Sequence, residues 1–318
     1  MSFTHRFDEG AGLDRVEGPG LSLTVRRRGA EAISLVWQDP RRGPIGLLWR
    51  DGQIADPPRF WKSHAPILFP IVGGLHDHAS QATTGEEVRF RGLHGFIRHE
   101  DLDLVESGPR GGGFLLNYRL EANDTTRAMY PWEFVFEVTY VLFPDRLEVT
   151  FAVENRDSRP MPFQVGWHPG FATPLVPGAG DKAGCHVRLP ARPFDRLLND
   201  DRCFLTGQRV GMDGRDDFPF NELGLDLTYM FDLSSVAPAD RAVTLLDPDE
   251  SFGVRVAFPD FPHLGLWSDA GAPFVCIEPW HGMDDHVAQE PFDRKLGIIL
   301  LPPGGRDARR ASIEVLAG

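Results

Sequence analysis

The sequence predicts an all-β fold in the form of a large and mostly antiparallel β-sandwich. Short apolar stretches with a period of two recur along the 318 residues, and the 34 glycines and 27 prolines that separate them favour turns. Regular alternation of strands with helices is missing, which argues against a doubly wound α/β sheet. Because neither an internal repeat nor a low-complexity linker divides the chain, we expect residues 1–318 to form a single domain.

The clearest element is a β-hairpin between residues 133 and 154. Apolar and aromatic side chains alternate with other residues over 134–141 and again over 147–154, and Pro144-Asp145 supplies the turn between them. Further strands are expected at the short apolar runs 21–25, 33–37, 114–120, 242–246, 252–258, 274–277, 297–301 and 311–315. The glycine-rich stretch 108–113 predicts a hairpin loop, and residues 286–295 predict one short helix or turn.

The charged residues, cysteines and apolar runs argue against several classes of function. With 33 Lys and Arg against 46 Asp and Glu, the formal net charge is −13, which argues against nucleic-acid binding and disfavours strongly anionic substrates. The three cysteines, Cys185, Cys203 and Cys276, suggest neither a disulfide framework nor a zinc finger. The amino terminus lacks an apolar signal core, and no apolar run approaches the ~20 residues of a membrane span. We therefore expect a cytoplasmic protein with no membrane or nucleic-acid partner.

Three short segments each combine one proton-handling residue with glycine, proline and aromatic residues. The segments are 93–98, 166–171 and 276–280. Their proton-handling residues, His94, His168 and Glu278, are the groups that acid–base chemistry on a neutral polar substrate needs. The neighbouring Trp167 and Trp280 suit the apolar face of a sugar ring.

The two histidines lie in backbone settings that favour a functional position. Glycines on both sides of His94 let the backbone and a ligand approach closely. His168 precedes Pro169, which pushes its backbone towards an extended conformation at a strand end or in the loop that follows. Each histidine also has a structural interpretation, His94 as an ordinary turn residue and His168 as a packing residue beside Trp167.

Glu278 directly follows the apolar run 274–277. A carboxylate at the end of a buried strand is costly unless it is paired or functional. Partial burial would raise its pKa and make it a stronger base. The alternative is an ordinary surface glutamate at a strand end.

Several histidines outside these segments raise the question of a metal site. His76 and His78 could place two ligands on one face, but the chain offers no third and fourth ligand at a recognisable spacing. Glycine-rich phosphate loops and the Gly-x-Ser-x-Gly turn of serine hydrolases are missing as well. We therefore predict no metal site.

Taken together, these segments resemble the aldose 1-epimerase family, which is also described as galactose mutarotase-like. The resemblance extends in order over residues 20 to 316 through the segments 65–73, 93–98, 153–171, 264–267, 274–280 and 297–304. It implies a supersandwich of mostly antiparallel strands with an open sugar-binding cleft. It also implies an isomerase that needs no cofactor and that interconverts the α and β anomers of a free monosaccharide.

The resemblance further implies a role for each proton-handling residue. Glu278 would be the general base that removes the proton of the anomeric hydroxyl, and His168 the general acid that protonates the ring oxygen. His94 would hold or polarise the sugar oxygens near that ring oxygen. After the C1–O5 bond opens, rotation about C1–C2 and reclosure invert the anomer. Trp167 and Trp280 are expected to form walls against the sugar.

Two departures from the family pattern concern the sugar contacts. Many relatives carry an arginine where this chain has Gly74, and a glycine cannot replace a forked guanidinium donor. We expect Arg98 or His76 to compensate, or the substrate to differ from a standard hexose. The acidic residue with which relatives bind sugar hydroxyls has no clear counterpart between the second and third segments, and Asp226 is the candidate there.

Two other functions are open on the sequence alone. A mutarotase for a phosphorylated or otherwise anionic sugar would need converging basic side chains, for which Arg59, Lys62, Arg98 and His76 are the nearby candidates. A non-catalytic carbohydrate-binding protein could use the same scaffold, because a fold does not fix a function. A monomer and a homodimer are both compatible with the sequence.

Overall fold

The computed structural model consists mainly of antiparallel β-sheets, which confirms the all-β prediction. It describes residues 2–50, 60–190, 193–212, 216–224, 227–269 and 271–317. In these ranges, sheets of five, nine and eight strands make up most of the fold, together with two ribbons of two strands. The pairings within the two largest sheets are antiparallel.

The strands are numbered in chain order. The five-stranded sheet runs in the order β1 (Thr4–Asp8), β2 (Leu13–Glu17), β3 (Leu21–Arg26), β4 (Glu31–Asp39) and β5 (Gly43–Gly46). The nine-stranded sheet runs in the order β19 (Asp217–Pro219), β16 (His186–Arg188), β21 (Ala242–Leu246), β22 (Phe252–Ala257), β26 (Arg306–Ala317), β12 (Arg146–Asn155), β11 (Phe134–Leu142), β10 (Gly113–Glu121) and β9 (Asp103–Arg110).

The eight-stranded sheet carries the functional residues described below. It runs in the order β18 (Leu205–Met212), β17 (Phe194–Asn199), β20 (Leu227–Asp232), β23 (His263–Ser268), β24 (Phe274–His281), β14 (Val165–Trp167) and β6 (Ile67–Leu68), and β15 (Gly170–Ala172) also pairs with β24. The two ribbons join β7 (Ala79–Gln81) to β8 (Glu87–Arg89) and β13 (Met161–Phe163) to β25 (Ile299–Leu301).

Helical structure in the described ranges is limited to single turns. They are α1 (Asp124–Arg127), α2 (Phe220–Leu223) and the 3-10 turns His76–His78, Ile97–His99, Lys182–Gly184, Pro238–Asp240 and Phe292–Arg294. The last of these lies within the stretch 286–295 that was predicted to form a short helix or turn. None of the helices among the described residues has the length and apolar character that crossing a membrane requires.

Strands with a clear alternation of buried and exposed residues were predicted correctly. The predicted hairpin is β11 and β12, and in β11 the buried Phe136, Val138 and Tyr140 alternate with the partly exposed Glu137 and Thr139. The other eight predicted stretches coincide with or overlap β3, β4, β10, β21, β22, β24, β25 and β26. The hairpin loop predicted at 108–113 is shorter in the structure, where a two-residue turn at 111–112 joins β9 to β10. Exposed edge strands such as β1, β9 and β18 were missed, because they lack a buried face.

One large hydrophobic cluster connects the three main sheets. It contains Leu23 from the five-stranded sheet, Phe136 and Val254 from the nine-stranded sheet, and Phe231 and Ile277 from the eight-stranded sheet. Such a shared core is what a single domain needs, because each sheet buries one face against another. The division of the whole chain into one domain stays a prediction.

Two histidines with little exposure join β23 and β24 to the loops behind them. His263 Nδ1 accepts a hydrogen bond from the Gly282 N–H at 3.3 Å, and His281 Nδ1 lies 3.1 Å from the carbonyl oxygen of Gly297. Burial lowers the pKa of each histidine to about 4. Both rings are therefore neutral in the folded protein at neutral pH.

Acid is expected to destabilise this region. A histidine with a pKa of about 4 in the fold and 6.5 in the unfolded chain is protonated more readily when unfolded. Its stabilising contribution is complete above the unfolded pKa and is lost as the pH falls towards the folded pKa. We expect His263→Asn, which keeps an acceptor but cannot be protonated, to have an unfolding free energy that falls less steeply across this window. Urea unfolding at several pH values would measure it, and an unchanged slope would contradict the expectation.

Candidate active site

A cleft with a volume of about 310 Å³ opens on one face of the eight-stranded sheet. This volume lies within the range of roughly 300–1,000 Å³ that is typical of small-molecule sites. Strands β20 and β24 each contribute two side chains at alternate positions, as expected for one face of a sheet. The lining residues are Trp61, Gly73, Leu93, His94, Arg98, His168, Cys203, Thr228, Met230, Trp267, Glu278, Trp280 and Asp284.

Neighbouring strands bring Glu278 and His168 together. Glu278 lies on β24 opposite Gly265 of β23. His168 lies between β14 and β15, and both of these short strands pair with β24. The carbonyl oxygen of Pro169 accepts a hydrogen bond from the Ile277 N–H at 3.1 Å, so the chain stays close to β24 on both sides of His168.

The His168 and Glu278 side chains form a buried pair. His168 Nε2 lies 3.1 Å from Glu278 Oε2, and the two side chains are 10% and 2% exposed. Burial raises the pKa of Glu278, the nearby Asp284 carboxylate raises it further, and burial lowers the pKa of His168. Because burial disfavours a net charge, the pair favours the state with one proton, either as two neutral groups or as an ion pair.

His94 lies beside this pair in a tightly constrained turn. Its φ is 67°, and a Cβ on the following Gly95 would lie 2.3 Å from the carbonyl oxygen of Phe69. The Gly73 N–H donates a hydrogen bond to His94 Nδ1 at 3.0 Å, so the neutral ring carries its proton on Nε2. Burial, with a contribution from His168, holds the pKa of His94 well below its usual value. His94 is therefore a neutral hydrogen-bond donor in the cleft.

A second carboxyl group, that of Asp284, lines the cleft beside two glycines. Asp284 Oδ1 accepts a hydrogen bond from the Gly74 N–H at 2.6 Å. A Cβ on Gly73 would lie 2.2 Å from the same oxygen, so the carboxyl group needs a residue without a side chain there. Burial raises the pKa of Asp284 to about 6, while the Gly74 N–H and Lys295 oppose the shift.

Buried polar contacts hold the chain around Asp284. Lys295 Nζ lies 3.3 Å from Asp285 Oδ1, and these two side chains are 1% and 0% exposed. Gln164 Nε2 donates a hydrogen bond to the carbonyl oxygen of Met283 at 3.3 Å. Both neighbours of Asp284 in sequence are thus fixed, and its carboxyl group has a defined place in the cleft.

Arg98, a candidate sugar contact named from the sequence, is among the residues that line the cleft. Its Nη2 donates a hydrogen bond to the carbonyl oxygen of Leu93 at 2.8 Å. The space beside Gly74, where many relatives carry an arginine, is occupied differently. A Cβ on Gly74 would lie 2.9 Å from Leu93 Cδ2 and 3.7 Å from Asp284 Oδ1. A larger residue at position 74 would therefore require the exposed Leu93 side chain to move, whereas the distance to Asp284 is that of an ordinary contact.

Three tryptophans form the aromatic walls of the cleft. The Trp61 ring stacks on His168 with a centroid distance of 4.8 Å and an interplanar angle of 26°. Trp267 presents an edge to His168 at 6.1 Å. Trp280, which the sequence analysis had selected, lies 5.9 Å from His94.

Trp167 lies outside the cleft, which corrects the expectation that it forms a wall against the sugar. Its side chain is fully buried, and its Nε1 donates a hydrogen bond to the carbonyl oxygen of Ala65 at 3.2 Å. Its ring packs 6.2 Å from that of Phe151. Successive side chains of a strand point to opposite faces, so Trp167 faces the core when His168 faces the cleft.

His76 is not a cleft residue either, so it cannot compensate for Gly74. Its Nε2 lies 2.7 Å from the carbonyl oxygen of His286, and its ring stacks on Phe204 at 4.1 Å. Neither His76 nor His78 belongs to a group of three potential metal ligands within the described ranges. Asp226, the candidate for the acidic sugar contact, lies outside the described residues.

Two prominent cleft residues, Asp284 and Trp61, were not predicted from the sequence. A signal for Asp284 was present, since the acidic pair Asp284-Asp285 follows the Glu278 segment closely. Trp61 gave no comparable signal, because nothing in its sequence neighbourhood indicates contact with His168.

Comparisons with known proteins agree with this fold. The family model for aldose 1-epimerase matches residues 16–310. The plasmid form of Protein LacX from Lactococcus lactis subsp. lactis is 30% identical over 280 residues, covering 85% of this chain and 87% of that protein. The solved structure of a galactose mutarotase related enzyme from Lactobacillus acidophilus has a TM-score of 0.83 at 27% identity, covering 96% of this chain and 97% of that chain. A galactose mutarotase-like protein from Lactobacillus casei has a TM-score of 0.79 at 26% identity, covering 96% and 100% respectively.

These similarities extend over nearly the whole chain and include the arrangement of the sheets. The fold is therefore galactose mutarotase-like. The chain belongs to the aldose 1-epimerase family, and it is an enzyme of the isomerase class.

Gly73→Ala is expected to disturb the cleft strongly. Gly73 has a φ of 64°, a conformation that costs a residue with a side chain about 1 kcal/mol or more. The new Cβ would also displace the Asp284 carboxyl group from its bond with Gly74. We expect a clearly lower melting temperature in calorimetry. The matched control is Gly92→Ala, whose added Cβ would meet nothing within 4 Å, and equal melting temperatures for the two variants would contradict this account.

Proposed function

We propose that this enzyme interconverts the α and β anomers of a free, uncharged aldose. The observation that carries the proposal is the 3.1 Å approach of His168 Nε2 to Glu278 Oε2 inside the cleft. Opening a sugar ring requires removal of one proton from the anomeric hydroxyl and delivery of another to the ring oxygen. An adjacent carboxylate and imidazolium supply both functions.

Ring opening uses the ion-pair form of the two residues, which one proton transfer from Glu278 to His168 produces from the two neutral groups that burial favours. The Glu278 carboxylate removes the proton from O1, and the His168 imidazolium donates its Nε2 proton to O5. The C1–O5 bond breaks with its electron pair going to O5, and O1 becomes the aldehyde oxygen. The pair still holds one titratable proton, which is now the former O1 proton on Glu278, while the proton of His168 is on O5.

Reclosure reverses these roles after rotation about C1–C2. Neutral His168 removes the proton from the O5 hydroxyl as O5 attacks C1, and Glu278 returns its proton to O1. The configuration at C1 is inverted, and the pair recovers its starting form. Each placed proton transfer contributes on the order of 10²–10⁴-fold, which suits a reaction that already proceeds slowly in water.

His94 assists by donating a hydrogen bond. Its Nδ1 is occupied by the Gly73 N–H, and its Nε2–H is free to approach the sugar oxygens near O5. Its depressed pKa keeps it neutral, so it stabilises negative charge on oxygen without competing for the reacting protons.

We assign the contacts with the sugar hydroxyls and ring to three other residues that line the cleft. The Asp284 carboxyl group, fixed by the Gly74 N–H, is the acidic contact that we propose in place of Asp226. Arg98 supplies guanidinium donors, and Trp280 supplies an apolar surface for the C–H groups of the ring. Together these residues replace the arginine contact that Gly74 cannot provide.

The charges of the cleft favour a neutral sugar over a phosphorylated one. Glu278 and Asp284 both line it, and Arg98 is the one permanently charged cation among the lining residues that the structure describes. A phosphate group would enter beside two acidic groups, and the guanidinium already donates to the carbonyl oxygen of Leu93. Of the other basic candidates, Lys62 and His76 are not among the lining residues, and Arg59 lies outside the described residues.

A purely sugar-binding role is less consistent with this geometry. Burying an imidazole and a carboxyl group side by side costs free energy that a binding site built from neutral groups avoids. An enzyme that moves a proton between two substrate oxygens needs that arrangement, and a binding protein does not.

Glu278→Gln is expected to lower the rate of anomer exchange by on the order of 10²–10⁴-fold, because an amide cannot accept the O1 proton. Sugar binding should survive, since the shape of the side chain is retained. Polarimetry or proton NMR on freshly dissolved glucose, galactose, xylose, arabinose, fucose and a hexose 6-phosphate would measure exchange.

His168→Ala should lose activity in the same assay, with the exposed His78→Ala as a matched control that keeps the wild-type rate. A wild-type rate in Glu278→Gln would remove Glu278 as the base. Failure of the unmodified enzyme on every sugar, together with measurable binding, would favour a carbohydrate-binding protein instead.

The pH profile should depend on Asp284. The reaction needs one proton on the pair, so kcat/KM falls on the alkaline side when the coupled His168–Glu278 pair loses it. Burial and the Asp284 charge raise the pKa of Glu278, and Asp284 is charged above its own pKa of about 6. We expect Asp284→Asn to move the alkaline limb of kcat/KM to lower pH, after subtraction of the uncatalysed rate. An unmoved limb would contradict the coupling between the two carboxyl groups.

A further inference from the structure

An aromatic cluster lies against the cleft and is separate from the main hydrophobic core. We define it as Trp49, Phe60, Trp61, Trp267 and Phe274. Trp49 and Phe274 are buried together with Cys276, and the other three rings pack against them. The acid–base steps described above do not use this cluster. Two of its members, Trp61 and Trp267, nevertheless contact the His168 ring.

The two histidines of the cleft are held in different ways. His94 Nδ1 receives a hydrogen bond from a backbone N–H, which fixes the plane and tautomer of the ring. His168 Nδ1 is buried and has no hydrogen-bond partner among the described residues. The only polar contact of the His168 ring in these ranges is therefore the approach of Nε2 to Glu278, on its reacting side. A ring with a polar contact at only one nitrogen can tilt. Packing against the faces of the ring is the remaining way to fix its plane.

The Trp61 indole is placed to do this. It covers the face of the His168 ring at 4.8 Å with an interplanar angle of 26°. A Cβ on Gly170 would lie 2.7 Å from Trp61 Cζ3, so the glycine close to His168 in sequence makes room for the indole. Trp49 Nε1 donates a hydrogen bond to the carbonyl oxygen of Trp61 at 2.9 Å, which anchors its backbone.

The rest of the cluster holds the indole itself. Trp267 contacts Trp61 edge-on at 5.8 Å and also contacts His168 edge-on at 6.1 Å. Phe274 stacks on Trp61 at 5.9 Å with an interplanar angle of 29°. The His168 ring thus meets a flat surface that is itself packed from behind, and tilting of the imidazole would require several rings to move.

We propose that Trp61 is a positioning residue, which holds the His168 imidazole in the plane from which Nε2 exchanges a proton with the sugar ring oxygen. The proposal rests on the proposed function, because it gives His168 its task. It differs from a role as a wall for the sugar: a positioning residue acts on the rate of proton transfer through His168, whereas a wall acts on sugar affinity.

The test compares Trp61→Ala with Trp61→Phe. A displacement of about 1 Å in a reacting group can cost on the order of 10²-fold in rate, so kcat of Trp61→Ala should fall by about that factor with little change in KM. Trp61→Phe retains a flat face and should keep most of the activity. The control is Trp37→Ala, which removes a tryptophan of β4 that lies outside the residues lining the cleft.

A spectroscopic measurement separates this proposal from the proposed function. Proton–carbon NMR of the protein labelled at histidine, with the His168 signal assigned by its loss in His168→Ala, reports the ring-current shift that the stacked indole imposes. We expect this shift to disappear in Trp61→Ala, to be reduced in Trp61→Phe and to stay in Trp37→Ala.

Three results would overturn the positioning role. They are an unchanged His168 signal in Trp61→Ala, a rise in KM with kcat retained, and full activity despite a displaced His168 signal. If the unmodified enzyme accelerates no sugar, the proposed function fails, while the NMR comparison still reports whether Trp61 orders the His168 ring.

Discussion

The burial of His168 and Glu278 side by side is the constraint on which the rest of the site depends. Neither group would be stable in this place as an isolated charge, because an unpaired ion in a protein interior costs several kcal/mol. A shared proton removes the net charge. The eight-stranded sheet supplies the necessary geometry, since β14 and β15 both pair with β24 and bring His168 to Glu278 from the side. The nearby Asp284 carboxylate raises the pKa of Glu278 further and so helps the pair to keep its proton.

The cost of burying charge also explains why His94 and Asp284 are hydrogen-bonded to backbone N–H groups. Each accepts a hydrogen bond from an N–H of the Gly73-Gly74 segment, so one short stretch of chain orients both a neutral donor and a carboxyl group. A backbone donor adds no formal charge to a cleft that already contains two acids. Main-chain donors thus orient His94 and Asp284, whereas aromatic packing by Trp61 covers His168.

The sequence was informative where a local pattern has one structural solution. The hairpin of β11 and β12 follows from alternation, and His94, His168 and Glu278 stand in ordered motifs whose resemblance to a known family placed all three in one cleft. Trp167 was assigned wrongly because composition identifies an aromatic residue near a site but not the face of the strand that it occupies. Asp284 follows the Glu278 segment closely, but the sequence does not show its contact with Gly74, which lies 210 residues away in the chain.

The packing of Asp284 against Gly73 and Gly74 links distant parts of the gene. The carboxyl oxygen lies where a Cβ at position 73 would be, and the N–H of the next residue is its donor. The effect of a substitution at 73 or 74 on stability therefore depends on the residue at 284. The reverse also holds, because the contributions of residues in contact are not independent.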